Sequence, residues 1–87
     1  MGSYTLVITP SAQKELDRID DTIFDRIDGK ILALAEDPRP HGCRKLRGYR
    51  NQWRIRVGDW RVIYVIDDAR ALVTVTRVAH RREVYDQ

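Results

Sequence analysis

The segment NQWRIRVGDWRVIY, Asn51 to Tyr64, decides how the chain folds. Apolar and polar residues alternate on both sides of Gly58-Asp59, the mark of two strands that each bury one face. A glycine-first pair between two such runs makes a two-residue hairpin loop, because glycine supplies the positive φ needed at the first loop position. This turn sets Val57 opposite Trp60. Pairing then runs Arg56 with Arg61, Ile55 with Val62, Arg54 with Ile63 and Trp53 with Tyr64. Side chains alternate between the faces of a strand, so Trp53, Ile55, Val57, Trp60, Val62, Tyr64 and Ile66 form an apolar face. Arg54, Arg56 and Arg61 share the other. Arg56 opposite Arg61 costs up to about 1 kcal/mol through like-charge repulsion. Asp59 sits in the turn, so no carboxylate of the hairpin faces these guanidinium groups and something outside it must compensate.

Toward the C-terminus, ALVTVTRV (71–78) continues the period-two pattern, so WRIRV, WRVIYVI and ALVTVTRV read as consecutive antiparallel strands, the last two joined by DDAR. If Ile66 pairs with Ala71, Arg61 neighbours Thr76, and Thr74, Thr76 and Val78 extend the arginine face. His80 then emerges at its edge, followed by Arg81, Arg82 and Tyr85 in a short tail, HRREVYDQ.

Toward the N-terminus, YTLVIT (4–9) alternates and is rich in β-formers, which predicts a first strand. Thr9 can cap a helix that starts at Pro10, where a missing N–H costs nothing. Ala12, Leu16, Ile19, Ile23, Ile27, Ile31 and Leu34 follow at helical steps of three and four. Asp20 and Asp21 are placed to cap a second helix running to about Glu36, which makes a helical hairpin; one long kinked helix is the alternative. Gly29 inside it costs up to about 1 kcal/mol against alanine and points to close packing there. Pro38 and Pro40 end the helix, and DPRPHGCRKLRGYRNQ (37–52) reads as a basic loop. The expected class is α+β: an N-terminal strand, a helical hairpin and a three-stranded antiparallel meander, with the helices packed on one face of the sheet.

At 87 residues, the chain is expected to form a single domain spanning 1–87, since domains commonly run to about 100–150 residues. So small a core leaves little room for an internal cofactor, and none is expected. Neither a membrane span nor a secretory leader is visible, and the lone Cys43 cannot form an internal disulfide; a cytoplasmic protein is expected. The net charge of +3 hides a polarity. Residues 1–38 hold four Lys/Arg against eight Asp/Glu, whereas residues 39–87 hold twelve against five. A basic half of this kind suits a polyanion, nucleic acid above all; a solvated charged face is the plain alternative.

Three strand arginines, His80, Arg81 and Tyr85, rimmed by Lys45 and Arg47 of the loop, are the ingredients for gripping a phosphodiester. Guanidinium groups bind phosphate in bidentate fashion, an imidazole can move a proton near neutrality, and an aromatic ring can stack on a base. The basic half has no carboxylates or histidines at metal-ligand spacing, so no metal is expected. His41, in the loop, is read as a bystander.

The order YTLVITPSAQKEL, DPRPHGCRKLRG, WRIRVGDWRVIYVID, VTRVAHRREVY resembles the RelE/ParE toxin superfamily over nearly the whole chain. The resemblance implies the toxin of a type II toxin-antitoxin pair, with a cognate antitoxin as partner. RelE-like members enter the ribosomal A site and cleave mRNA there, by attack of a ribose 2′-OH on the adjacent phosphate; ParE-like members inhibit DNA gyrase. On this resemblance the RelE-like activity, with ribosome and mRNA as partners, is expected. Arg61 matches the phosphate-holding strand arginine, Arg81 the tail arginine and Tyr85 the terminal tyrosine that stacks on a base. Arg54 and Arg56 match positions that are often lysine. Arginine does not give up its proton, so these two can only stabilise charge, and His80 is expected to take over proton transfer.

Overall fold

The computed structural model describes residues 4–48 and 50–80. Arg81, Arg82 and Tyr85 lie outside the described residues. Seven elements follow in order: β1 (Thr5–Ile8), α1 (Pro10–Asp17), α2 (Asp21–Ala33), β2 (Arg44–Lys45), β3 (Gln52–Val57), β4 (Trp60–Asp67) and β5 (Leu72–His80). The strands form one sheet in the order β1-β5-β4-β3-β2, antiparallel except where β1 runs parallel to β5.

Local chemistry accounts for the element boundaries. Thr9 is extended and its hydroxyl accepts from the Ala12 amide at 3.2 Å, with Pro10 opening α1. The Asp20 carboxylate accepts from the Thr22 amide at 3.1 Å and starts α2. Two capped helices, rather than one kinked helix, are therefore present. Gly58 has φ +61 and Asp59 a negative φ, the glycine-first loop that aligns β3 with β4 in the register expected from the sequence. Two local expectations need correction, and the β4–β5 register is a third, taken up below. β2 is a two-residue edge strand inside the segment read as loop, pairing Arg44 with Arg54 and Lys45 with Trp53. Gly29 marks no close packing, since a Cβ there would meet nothing within 4 Å.

Ala12 and Leu16 of α1, Ile27 and Ile31 of α2 and the following Leu34 are sealed against Ile55, Val57, Val62, Tyr64, Ile66, Val73, Val75 and Val78 of the sheet. Each large aliphatic side chain buried in this way contributes roughly 1.5–3 kcal/mol. Both helices thus cover one face of the sheet. Tyr64, fully buried, donates its phenol to the Pro38 carbonyl at 2.7 Å and anchors the end of the helical hairpin to β4. Burial, with the Cys43 thiol beside it, pushes that phenol well above the usual tyrosine range. Nearby, Arg39 pairs in bidentate fashion with Asp68 at 3.2 and 2.8 Å, and Tyr4 donates to the same carboxylate at 2.6 Å. The two donors hold Asp68 down at about pKa 2, and the Arg39 guanidinium also lies 5.0 Å over the Trp53 ring. No helix among the described residues is long and apolar enough to cross a membrane.

The largest departure from the expected register lies between β4 and β5. Ile66 pairs with Val73 rather than Ala71, and Arg61 with Ala79 rather than Thr76. Ile63 opposes Arg77 while Tyr64 opposes Val75, so Thr76 is an extra residue, a β-bulge, whose hydroxyl donates to the Ile63 carbonyl at 3.3 Å. One inserted residue reverses the faces of everything after it. Val78, expected beside the arginines, is consequently a core residue.

Candidate nucleic-acid interface

Register fixes where the arginines stand. Arg54 and Arg56 are two apart on β3, Arg61 lies opposite Arg56, and Arg44 of β2 lies opposite Arg54. All four share the sheet face turned away from the helices. Arg54 is only 3 % exposed, while Arg56 and Arg44 are exposed and Arg61 is intermediate. Burial first, then the charges of Arg56, Arg61 and Arg44, holds the Arg54 pKa below the usual arginine range. Three guanidinium groups thus act on Arg54 at close quarters. Their neighbours across β4 and β5, Ile63 opposite Arg54 and Ala79 opposite Arg61, bring no opposing charge.

Three carboxylates beside the sheet have partners of their own. Asp68 binds Arg39 and Tyr4, Asp67 lies 3.8 Å from Arg70, and Glu15 of α1 accepts from Arg77 at 3.2 Å. Glu15 has a second task. β1 accompanies β5 only as far as Val75, and beyond it the other oxygen of Glu15 accepts from the Val78 amide at 2.7 Å. A carboxylate thus replaces a strand at the edge of β5, just before the residues that carry Ala79 and His80 into place.

The predicted site residues sort unevenly. Arg54, Arg56 and Arg61 converge as expected. His80 does not join them: after the bulge it pairs with Trp60, on the opposite side from Arg61, and its ring meets the Trp60 ring edge-on at 5.5 Å and 85°. Lys45 pairs with Trp53 and so also stands on the far side from Arg54. Arg47 is exposed in the turn after β2. Arg81 and Tyr85 lie outside the described residues. Arg44 was missed, because a two-residue strand leaves no alternation to read. The bulge had a signal: core valines 73 and 75 are two apart, but the next, Val78, follows after three.

The four-arginine face can bind phosphate through several charge-assisted hydrogen bonds and stabilise added negative charge on it. Among the described residues, no three His, Cys, Asp or Glu side chains are grouped to hold a metal ion.

Sequence comparison assigns this basic sheet face, backed by a helical hairpin, to a class of small toxins. Residues 6–85 match the family described as ParE toxin of type II toxin-antitoxin system, parDE. The chain belongs to this family, within the RelE/ParE superfamily of type II toxins. It is similar to Toxin RelG of Mycobacterium tuberculosis (strain ATCC 25618 / H37Rv), with 28% identity over 83 residues covering 94% of this chain and 95% of the relative. Its fold resembles the toxin in the toxin-antitoxin complex RelBE2 from the same species, at TM-score 0.79 and 27% identity, covering 91% of this chain and 99% of that one. The intact E. coli RelBE toxin-antitoxin complex contains a similar chain, at TM-score 0.78 and 26% identity, with coverage of 88% and 95%.

Proposed function

We propose that this toxin cleaves mRNA on the ribosome and that it is held inactive by a cognate antitoxin. The observation that carries the reading is the cluster of Arg44, Arg54, Arg56 and Arg61 on one sheet face, the one turned away from the helices. In the cleavage step, the ribose 2′-oxygen bonds to the adjacent phosphorus and the bond to the 5′-oxygen breaks. The 2′-hydroxyl loses its proton and the departing 5′-oxygen gains one. Negative charge grows on the phosphoryl oxygens, and fixed guanidinium groups favour that state over the ground state. Arg61, Arg54 and Arg56 hold the phosphate, with Arg44 beside them. The proton steps fall to the C-terminal segment that begins at His80 and carries Arg81, with Tyr85 stacking on a base. Similarity to RelG and to the RelBE toxins supports this branch.

A second reading, inhibition of DNA gyrase by binding alone, is favoured by the His80 ring lying against Trp60 rather than among the arginines. Cell-free translation separates the two. Messenger RNA with new 3′ ends inside the reading frame is the expected product, and Arg61→Ala should abolish it. Intact mRNA together with blocked gyrase supercoiling would reject cleavage in favour of the second reading. His80→Ala tests the imidazole: a strong loss of cleavage with ribosome binding retained is expected if it moves a proton, and equal cleavage removes it from the mechanism.

A further inference from the structure

The sheet has one corner that β1 does not reach. β1 follows β5 only from Leu72 to Val75, and Thr9, whose amide makes the last bond to Val75, already caps α1. Beyond Val75 come the bulge at Thr76 and then Arg77, Val78, Ala79 and His80, which among the described strands have only β4 beside them. A strand end with a single partner opens more readily than a strand held on both edges. Arg61 stands in this corner. It is the second residue of β4, and its strand partners are Arg56 on β3 and Ala79 on β5.

Backbone direction decides which groups the corner leaves open. Val57 and Trp60 close the Gly58-Asp59 loop as a bonded pair, so alternate residues of β4, Arg61 and Ile63 among them, turn their backbone groups to β5. Arg61 and Ala79 are therefore a bonded pair, and Val78 turns its N–H to the edge that β1 has left. The Glu15 carboxylate takes that N–H, at 2.7 Å. Helix packing brings it there. Ala12 and Ile19 of the α1 stripe are buried against the core, and Glu15, three after one and four before the other, lies on the same side. Its other oxygen accepts from Arg77 Nε at 3.2 Å, so two bonds fix the carboxylate.

We propose that Glu15 is a positioning residue for the phosphate-binding face: by holding the Val78 amide it fixes Ala79, and through Ala79 it keeps the backbone of Arg61 in register with Arg56. The proposal rests on the RNA-cleavage reading above and adds to it the group that steadies its arginines. Glu15 reaches β5 from the helix layer, whereas the arginines stand on the face turned away from the helices. It thus anchors the strand without placing a negative charge beside the phosphate.

The test compares the whole chain with Glu15→Ala, Glu15→Gln and Glu15→Asp, at a temperature where thermal melts show each to be folded. Glutamine keeps an acceptor at the same reach, whereas aspartate keeps the charge on a shorter side chain. Two quantities are read: hydrogen exchange at the Arg61 and Ala79 amides, and cleavage of mRNA in cell-free translation as toxin concentration is raised. Glu15→Ala and Glu15→Asp are expected to speed exchange at both amides and to lower the saturating cleavage rate about tenfold. The half-saturating concentration should change less than about twofold, because a misplaced guanidinium costs the transition state more than the bound state. Glu15→Gln should stay near wild type in both. If Glu15→Ala does not fold, the aspartate and glutamine variants carry the same comparison. Unchanged exchange and cleavage in Glu15→Ala overturn the proposal, as does an equal defect in all three variants or a wild-type result for Glu15→Asp. If the wild type itself leaves mRNA intact, the cleavage reading fails, and exchange at Arg61 and Ala79 still decides whether Glu15 holds the corner.

Discussion

Replacing Arg54 by methionine should relieve charge repulsion within the arginine face and make the protein less able to bind RNA. Arg54 is 3 % exposed, stands directly opposite Arg44, and shares its face with Arg56 and Arg61. Its pKa is lowered by burial and by those three charges, which means that the folded state disfavours the charged form relative to the unfolded chain. Methionine keeps a long apolar stem in the same place and removes the charge. A like-charge cross-strand pair costs up to about 1 kcal/mol, and relief of that repulsion is set against loss of the contacts that the guanidinium makes. In a domain of this size, 1 kcal/mol is about 4–8 °C in Tm. Thermal unfolding followed by circular dichroism should show a Tm difference between variant and wild type that moves in favour of the wild type in 1 M salt, where the Debye length falls to about 3 Å and repulsion in the wild type is itself screened. RNA affinity should fall at the same time. A Tm difference that does not change with salt would refute the argument that the arginine face is under electrostatic strain.

Three further outcomes follow from the same geometry. Tyr64→Phe leaves the Pro38 carbonyl without its buried donor and should cost about 1–3 kcal/mol in urea unfolding, with an unchanged m-value. Asp68, held at about pKa 2 by Arg39 and Tyr4, contributes stability that is complete above its unfolded pKa of 3.8 and is lost as pH falls toward 2; Asp68→Asn should flatten the Tm profile across that window and change it little between pH 5 and 7. Glu15→Ala should speed hydrogen exchange at the Val78 amide and lower any RNA cleavage by loosening the end of β5, whereas Glu15→Gln, which keeps a carbonyl acceptor, should restore most of the protection. Equal exchange rates in the two Glu15 variants would remove the side chain from the edge of the sheet.

Much of the fold was legible because its determinants are local. Thr9-Pro10 and Asp20 start helices by satisfying amides two or three residues away, and Gly58 sets a hairpin register through its own φ. From that register alone, Arg54, Arg56 and Arg61 were placed on one face. The reading of His80 failed one strand later for the opposite reason. Alternation counts residues, and Thr76 is a residue that the partner strand does not count. Arg44 and Glu15 escaped notice because their roles depend on groups distant in sequence. Arg44 meets Arg54 through a two-residue strand, and Glu15 meets Val78 and Arg77 from a helix packed at the edge of β5.

The amino-acid order by itself determined the helices, the β3–β4 hairpin and the common face of three arginines, since capping, turn chemistry and two-residue periodicity act over a few neighbours. Only the tertiary structure decided which side His80 and Lys45 occupy, how deeply Arg54 is buried, and that Glu15 of α1 meets the end of β5. Those properties depend on how distant strands are offset and how a helix lies against a sheet edge, and both are set by side-chain packing across the whole core.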